Sequence, residues 1–273
     1  MDRPVLIYQR AAGEVRPASR LPVAAMLSLP LALGCASVYA YYLSGSPAAV
    51  GMALASLMVG LLACTALILY GRHEDVSVAA SAAALVLAIS LFTILLPSSG
   101  LVYVDGAVLL GTTAAGVLLF FRMVDLPDMG SARMRPMSVL LVLALPAGLA
   151  LVQAMFLGLR FWESYPLGRP TLLFIPILAA WGFVEEALFR GVLLRSSIPL
   201  LGTTGAMVLA AFLGAMFMLF WGSLPYAIFS FFLGLLMGAL YLRSRSLMYV
   251  GTVRALTDMW MIIAFFALGI AAY

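Results

Sequence analysis

The sequence predicts an all-α, polytopic integral membrane protein with about nine transmembrane helices. Three observations carry this. Hydrophobic residues make up 65% of the 273 and charged residues only 10%, against about 25% in a soluble domain. The apolar residues gather into runs long enough to cross a bilayer as helices, roughly 17–25 residues each. The basic residues are all arginine, and they concentrate in alternate connections between those runs.

Residues 1–20 hold four arginines with Asp2 and Glu14, interrupted by two prolines and a glycine. They read as a cytosolic tail. The first apolar run, 21–43, is too long for the h-region of a cleavable signal. The second, 48–70, follows the tight turn SGSP. A charged loop, GRHED at 71–75, carries His73, the single histidine of the chain. Runs three and four cover 76–96 and 101–121, and the charged loop 122–136 leads to run five, 137–159. In 161–170, FWESYPLGRP, Trp162 and Tyr165 suit a membrane interface. Run six is 171–194, run seven 203–221, run eight 225–242 and run nine 248–272. Residues 21–273 form one transmembrane domain in this reading.

Placing the N-terminus inside puts eleven arginines in inner segments and only Arg160 and Arg169 in outer ones. That asymmetry follows the positive-inside rule and sets the expected orientation, a multi-pass inner-membrane protein with a cytoplasmic N-terminus. It also accounts for the net charge of +4, so nucleic acid is excluded as a partner. Cys35 and Cys64 lie inside apolar runs and read as small buried hydrophobes rather than a disulfide.

Arg190 and Arg254 fall within spans instead. Run six contains WGFVEEALFRGVLL at 181–194, with Glu185, Glu186 and Arg190 in an otherwise apolar stretch. A charge at the centre of a bilayer helix costs roughly 2.5–3.5 kcal/mol on insertion scales. Such residues must face a protein interior and find partners there. Glu186 and Arg190 are four apart, as are Arg254 and Asp258 in run nine, so each pair shares a helix face. Left unpaired, these five charges would cost roughly 12–17 kcal/mol on the same scale. Typical stabilities are about 5–15 kcal/mol, so the five must form a paired interior cluster. Three acids and two arginines nearly balance.

The EExxxRG pattern of 185–191, followed by the glycine-rich FLGLLMGALYLRSRSL at 232–247, resembles the CPBP family of CAAX proteases and bacteriocin-processing proteins, also called the Abi family. Its best-known members are the type II CAAX prenyl endopeptidases. The resemblance covers about residues 171–260. It implies a helical membrane core and a glutamate-dependent intramembrane protease in which the first glutamate activates water. It also implies a second motif, FxxxH, and a third, HxxxN or HxxxD. Position by position, Glu185, Glu186 and Arg190 match the first motif. The second motif fails, because its histidine place falls near Met218 or, on the phenylalanine match, at Trp221. In the third, anchored by Ser246 and Leu247, Arg254 stands where histidine belongs and Asp258 where asparagine or aspartate belongs.

Arginine does not deprotonate in a protein, so Arg254 is no base. It can donate to an oxyanion. As a second fixed positive charge beside the glutamates, it favours their ionised form and weakens either one as a base. No metal or cofactor is expected, because two arginines compete for the carboxylates. Met207, Met216 and Met218 read as core packing rather than a copper path, and Gly234 with Gly238 as a close helix contact. The leading expectation is a CPBP-like membrane protein without protease chemistry, a subunit or scaffold that binds lipids and other membrane proteins. The alternatives are a variant intramembrane endopeptidase, with Glu185 or Glu186 as base, and a transporter or channel.

Overall fold

A chain this apolar gains little by separating hydrophobic from polar faces, so its helices are sorted by where small residues and charges must go. The computed structural model describes residues 47–70, 74–95, 102–123, 136–157, 171–219 and 224–267, with scattered positions between 29 and 40. Apart from the two-residue turn 245–246, these segments are helical, and no strand occurs among them. In chain order they are α1 (Pro47–Tyr70), α2 (Glu74–Leu95), α3 (Val102–Met123), α4 (Pro136–Leu157), α5 (Thr171–Glu186), a π-helical segment (Ala187–Leu194), α6 (Arg195–Met218), α7 (Leu224–Ser244) and α8 (Leu247–Ala267). The tail 1–20, most of the first expected span, Cys35, His73, Trp162, Tyr165, Trp221 and Tyr273 lie outside the described residues.

Four stretches are long and apolar enough to cross a membrane: Val50–Ile68, Val76–Thr93, Ile175–Met218 and Leu224–Ser244. The chain is a multi-pass membrane protein. Its exposure pattern agrees, since Met155 is 83% exposed while Arg254 is 3% exposed. Several hydroxyls within the helices turn back on their own backbone, as Ser90 does to the Val86 carbonyl and Thr257 to that of Val253. That satisfies a donor that lipid cannot.

The stretch from 175 to 218 is two antiparallel arms. Gly202 breaks it with φ 69° and ψ 173°, a left-handed conformation suited to glycine. Beyond it the chain runs back, so that Phe217 stacks on Trp181 at 6.4 Å and meets Phe189 at 6.1 Å. The sequence places the reversal in a loop over 195–202. The structure instead keeps 195–201 helical, with Ser196 bonded to the Val192 and Leu193 carbonyls and Leu200 buried, and concentrates the turn at Gly202.

Two crossings set the helices around α5. A Cβ on Gly182 would lie 2.8 Å from the Ala255 backbone nitrogen, so α5 and α8 touch backbone to backbone there. One on Gly234 would lie 2.9 Å from the Ala211 Cα, and α6 and α7 close in the same way. Gly238 faces Met207, so both glycines of that pair serve internal packing. The α7–α8 turn is built from Arg245 at φ 55°, whose amide donates to the Tyr241 carbonyl at 2.7 Å. Ser246 then caps α8 by accepting from the Tyr249 amide at 3.2 Å.

Candidate functional site

The π-helical segment follows directly on Glu186 and is buried at every residue from Leu188 to Leu194. A π-turn is wider than an α-turn and is frequent at functional sites. Here its neighbours explain it, for it packs against α2, α3, α6, α7 and α8 together. Gly191 is its tightest point, where a Cβ would meet both Phe121 and Leu247 side-chain carbons at 2.9 Å. The segment carries Arg190 inward, so that its guanidinium donates to the Gly234 carbonyl at 3.1 Å. Glycine at 234 lets α7 come close enough for that bond.

The structure brings all five charged residues singled out in the sequence into one buried cluster. Arg190 Nε lies 3.1 Å from Glu186 Oε2. Arg254 Nη2 donates to Glu185 Oε2 at 3.0 Å, and its Nε lies 3.5 Å from Asp258 Oδ2. The first and last of these are the pairs four apart on one helix. The middle one crosses from α5 to α8, at the point where Gly182 lets the two backbones touch.

Two further members carried no motif. Gln153 of α4 donates to Asp258 Oδ1 at 3.0 Å and to the Tyr226 hydroxyl at 3.3 Å. Tyr226 of α7 in turn stands beside Arg254. Gln153 had a signal in the sequence, as the one amide in the apolar run 137–159. Tyr226 had none that separates it from an interfacial tyrosine.

Next to the pairs lies a small cavity of about 10 Å³, lined by Glu185, Glu186, Arg190, Ser230 and Arg254 together with apolar residues. That is room for about one water molecule. Across it, α6 contributes Ala210, Ala211 and Gly214, none of which moves a proton. The second-motif position drawn from the sequence falls one turn or more beyond. Met218 is fully buried but outside the cavity wall, and Trp221 lies outside the described residues.

Among the described residues, no group of three or more histidine, cysteine, aspartate or glutamate side chains is arranged to hold a metal. Cys64 is a free, buried thiol.

Residues 167–260 match the family model described as type II CAAX prenyl endopeptidase Rce1-like. This agrees with the CPBP resemblance read from the motifs and covers the same third of the chain. No curated protein and no solved structure matched the chain.

Proposed function

We propose that this CAAX-protease-like membrane protein is non-catalytic, a nine-span subunit or scaffold of the inner membrane that binds other membrane proteins. Residues 1–20 would be its cytoplasmic tail and 21–273 its single transmembrane domain. The observation that carries this reading is the pairing of the acids. Glu185, Glu186 and Asp258 each lie against an arginine, and the facing wall of the cavity is Ala210, Ala211 and Gly214. A water-activating carboxylate needs a partner that handles protons, and loss of such acid–base help is worth about 10²–10⁴ in rate. The only histidine, His73, belongs to the loop between the second and third expected spans. Glu185, Glu186, Arg190, Arg254 and Asp258 then serve the fold, as remnants of a catalytic motif.

One feature supports a second reading. Arg254 reaches the same cavity wall as the two glutamates, where a fixed donor could stabilise an oxyanion. That would make the chain a variant glutamate-dependent endopeptidase. The two are separated by incubating purified protein in lipid with prenylated CAAX peptides and with generic transmembrane peptides. No cleavage is expected, and stable partner proteins should co-purify in mild detergent. Cleavage that disappears in both Glu185→Gln and Glu186→Gln would replace the first reading with the second.

A further inference from the structure

The fold gathers four arginines at one end of the bundle. Phe121 of α3 and Leu247 of α8 close over Gly191 of the π-helical segment. That contact brings the end of α3, the end of the π-helical segment and the α7–α8 turn to one place. Arg122 follows Phe121, Arg245 stands two residues before Leu247, and Arg195 comes about one turn after Gly191. Arg243 lies beside Arg245, in the last turn of α7. Arg122, Arg243 and Arg245 are exposed and Arg195 is half-buried.

Neighbours in the sequence do not balance this charge. No acidic residue occurs between Glu186 and Asp258, the stretch that holds three of the four arginines. The two charged connections expected at the same end, 71–75 and 123–136, hold three arginines and four acids. They sum to −1 against +4 and leave a surplus of three positive charges. Helix dipoles account for part of the pattern. Arg122 and Arg243 lie in the last turns of α3 and α7, where a cation is favoured. Arg245 does not fit that account, because it precedes the first turn of α8, where a cation is disfavoured. Its Nε donates to the Leu242 carbonyl at 3.1 Å, which holds the guanidinium at the turn. The surface next to these charges, toward the bilayer core, is apolar and open. Leu118 shares a face of α3 with Arg122, four residues away, and is 67% exposed, while Met248 in the first turn of α8 is 68% exposed.

We propose that this edge binds an anionic phospholipid, with the headgroup phosphate among Arg122, Arg243 and Arg245 and the acyl chains along Leu118 and Met248. Guanidinium groups bind phosphate through paired N–H donors. Basic clusters at the membrane edge of a helical bundle attract anionic headgroups. A soluble anion would use the arginines alone, whereas a lipid uses the charges and the open apolar surface beside them. The inference rests on the chain being a multi-pass membrane protein and not on whether it is catalytic.

The test is native mass spectrometry of the full chain in detergent, titrated with phosphatidylglycerol or phosphatidylcholine of the same chain length. Phosphatidylglycerol should bind at least fivefold more tightly, since one arginine near an anionic surface is worth roughly that factor. The preference should weaken as salt rises. The triple variant Arg122→Gln, Arg243→Gln, Arg245→Gln should lose fivefold or more in phosphatidylglycerol affinity and keep its phosphatidylcholine affinity. Arg122→Gln with Arg243→Gln leaves the α7–α8 turn intact and serves as the variant arm if the triple variant does not fold. Neutralising Arg3, Arg10 and Arg16 of the tail removes the same charge elsewhere and should leave the preference in place. Inorganic phosphate should not displace the lipid. Equal affinity for the two lipids would overturn the proposal, as would an equal loss from the tail variant. Displacement by inorganic phosphate would also overturn it and make a soluble anion the occupant.

Discussion

Replacing Arg254 with leucine should destabilise the protein severely. The side chain is 3% exposed and holds two acids, Glu185 Oε2 at 3.0 Å and Asp258 Oδ2 at 3.5 Å. Leucine would fill part of its volume and leave Glu185 without its guanidinium. Asp258 would keep the Gln153 amide at 3.0 Å, so its loss is the smaller one. Stranding one member of a buried pair costs about 3–5 kcal/mol. Against a total of about 5–15 kcal/mol, that removes roughly a fifth or more of the stability. At about 2–4 °C per kcal/mol for a chain of this size, the midpoint should fall by roughly 6–20 °C. Thermal unfolding in nanodiscs at neutral pH would read it. Arg254→Lys keeps the charge but lacks the planar fork that serves two acids at once, so it should fall in between. Adding Glu185→Leu to Arg254→Leu removes the stranded acid and should recover much of the loss. A single Arg254→Leu protein that unfolds within about 2 °C of wild type would refute the pairing argument, since that shift is below about 1 kcal/mol.

Other perturbations probe the geometry that assembles the cluster. Gly182→Ala would set a methyl 2.8 Å from the Ala255 nitrogen, and overpacking of this kind costs about 1–3 kcal/mol; Gly111→Ala, with nothing within 4 Å, is the control that should not lower the unfolding midpoint, since a helix favours alanine over glycine. Gln153→Leu removes the donor to Asp258 and Tyr226 and should cost about 1–3 kcal/mol in the same assay, the range for leaving a buried polar group unsatisfied. Gly202→Ala must hold φ 69° with ψ 173°, a region open essentially to glycine alone, and should lower stability by about 1–3 kcal/mol; Gly202→Asn should lower it by a similar amount, because asparagine's tolerance is for the left-handed helical region.

The parts of this structure that were legible in the sequence are those set by solvent and local spacing. Apolar run length marks where helices lie, because a bilayer core demands a certain rise. The start of α4 at Pro136 and the end of α2 at Leu95 fall within a residue of the expected limits. The pairs Glu186–Arg190 and Arg254–Asp258 were legible because four residues make one helical turn. The Glu185–Arg254 contact depends on α5 and α8 meeting, and no local pattern states that two helices touch; Gly182 permits it without announcing its partner. The π-turn at Ala187–Leu194 had no signal either. The segment packs against five other helices, with Phe121 and Leu247 closing on Gly191, and local sequence does not state such tertiary neighbours. Pro199 lies inside the helix, which continues past it to Gly202 with Ser196, Ser197 and Leu200 buried.

The same physics bears on why a chain without protease chemistry would keep five buried charges. Replacing a buried ion pair by well-packed apolar residues is often neutral or even stabilising, so stability alone does not demand them. In lipid, however, apolar surface gives two helices little reason to prefer one mutual rotation over another, because the tails are as apolar as leucine. Packing of small residues and polar contacts must set it instead. Gly182 and Gly234 let the backbones approach, but a smooth contact can slide or turn. Arg254 to Glu185 fixes α8 against α5, Arg190 to the Gly234 carbonyl fixes the π-segment against α7, and Gln153 ties α4 to both α8 and α7. Rotation of any one of these helices would break at least one of these contacts in the bundle interior. These contacts tie four helices to one another, and holding them together does not require proton transfer.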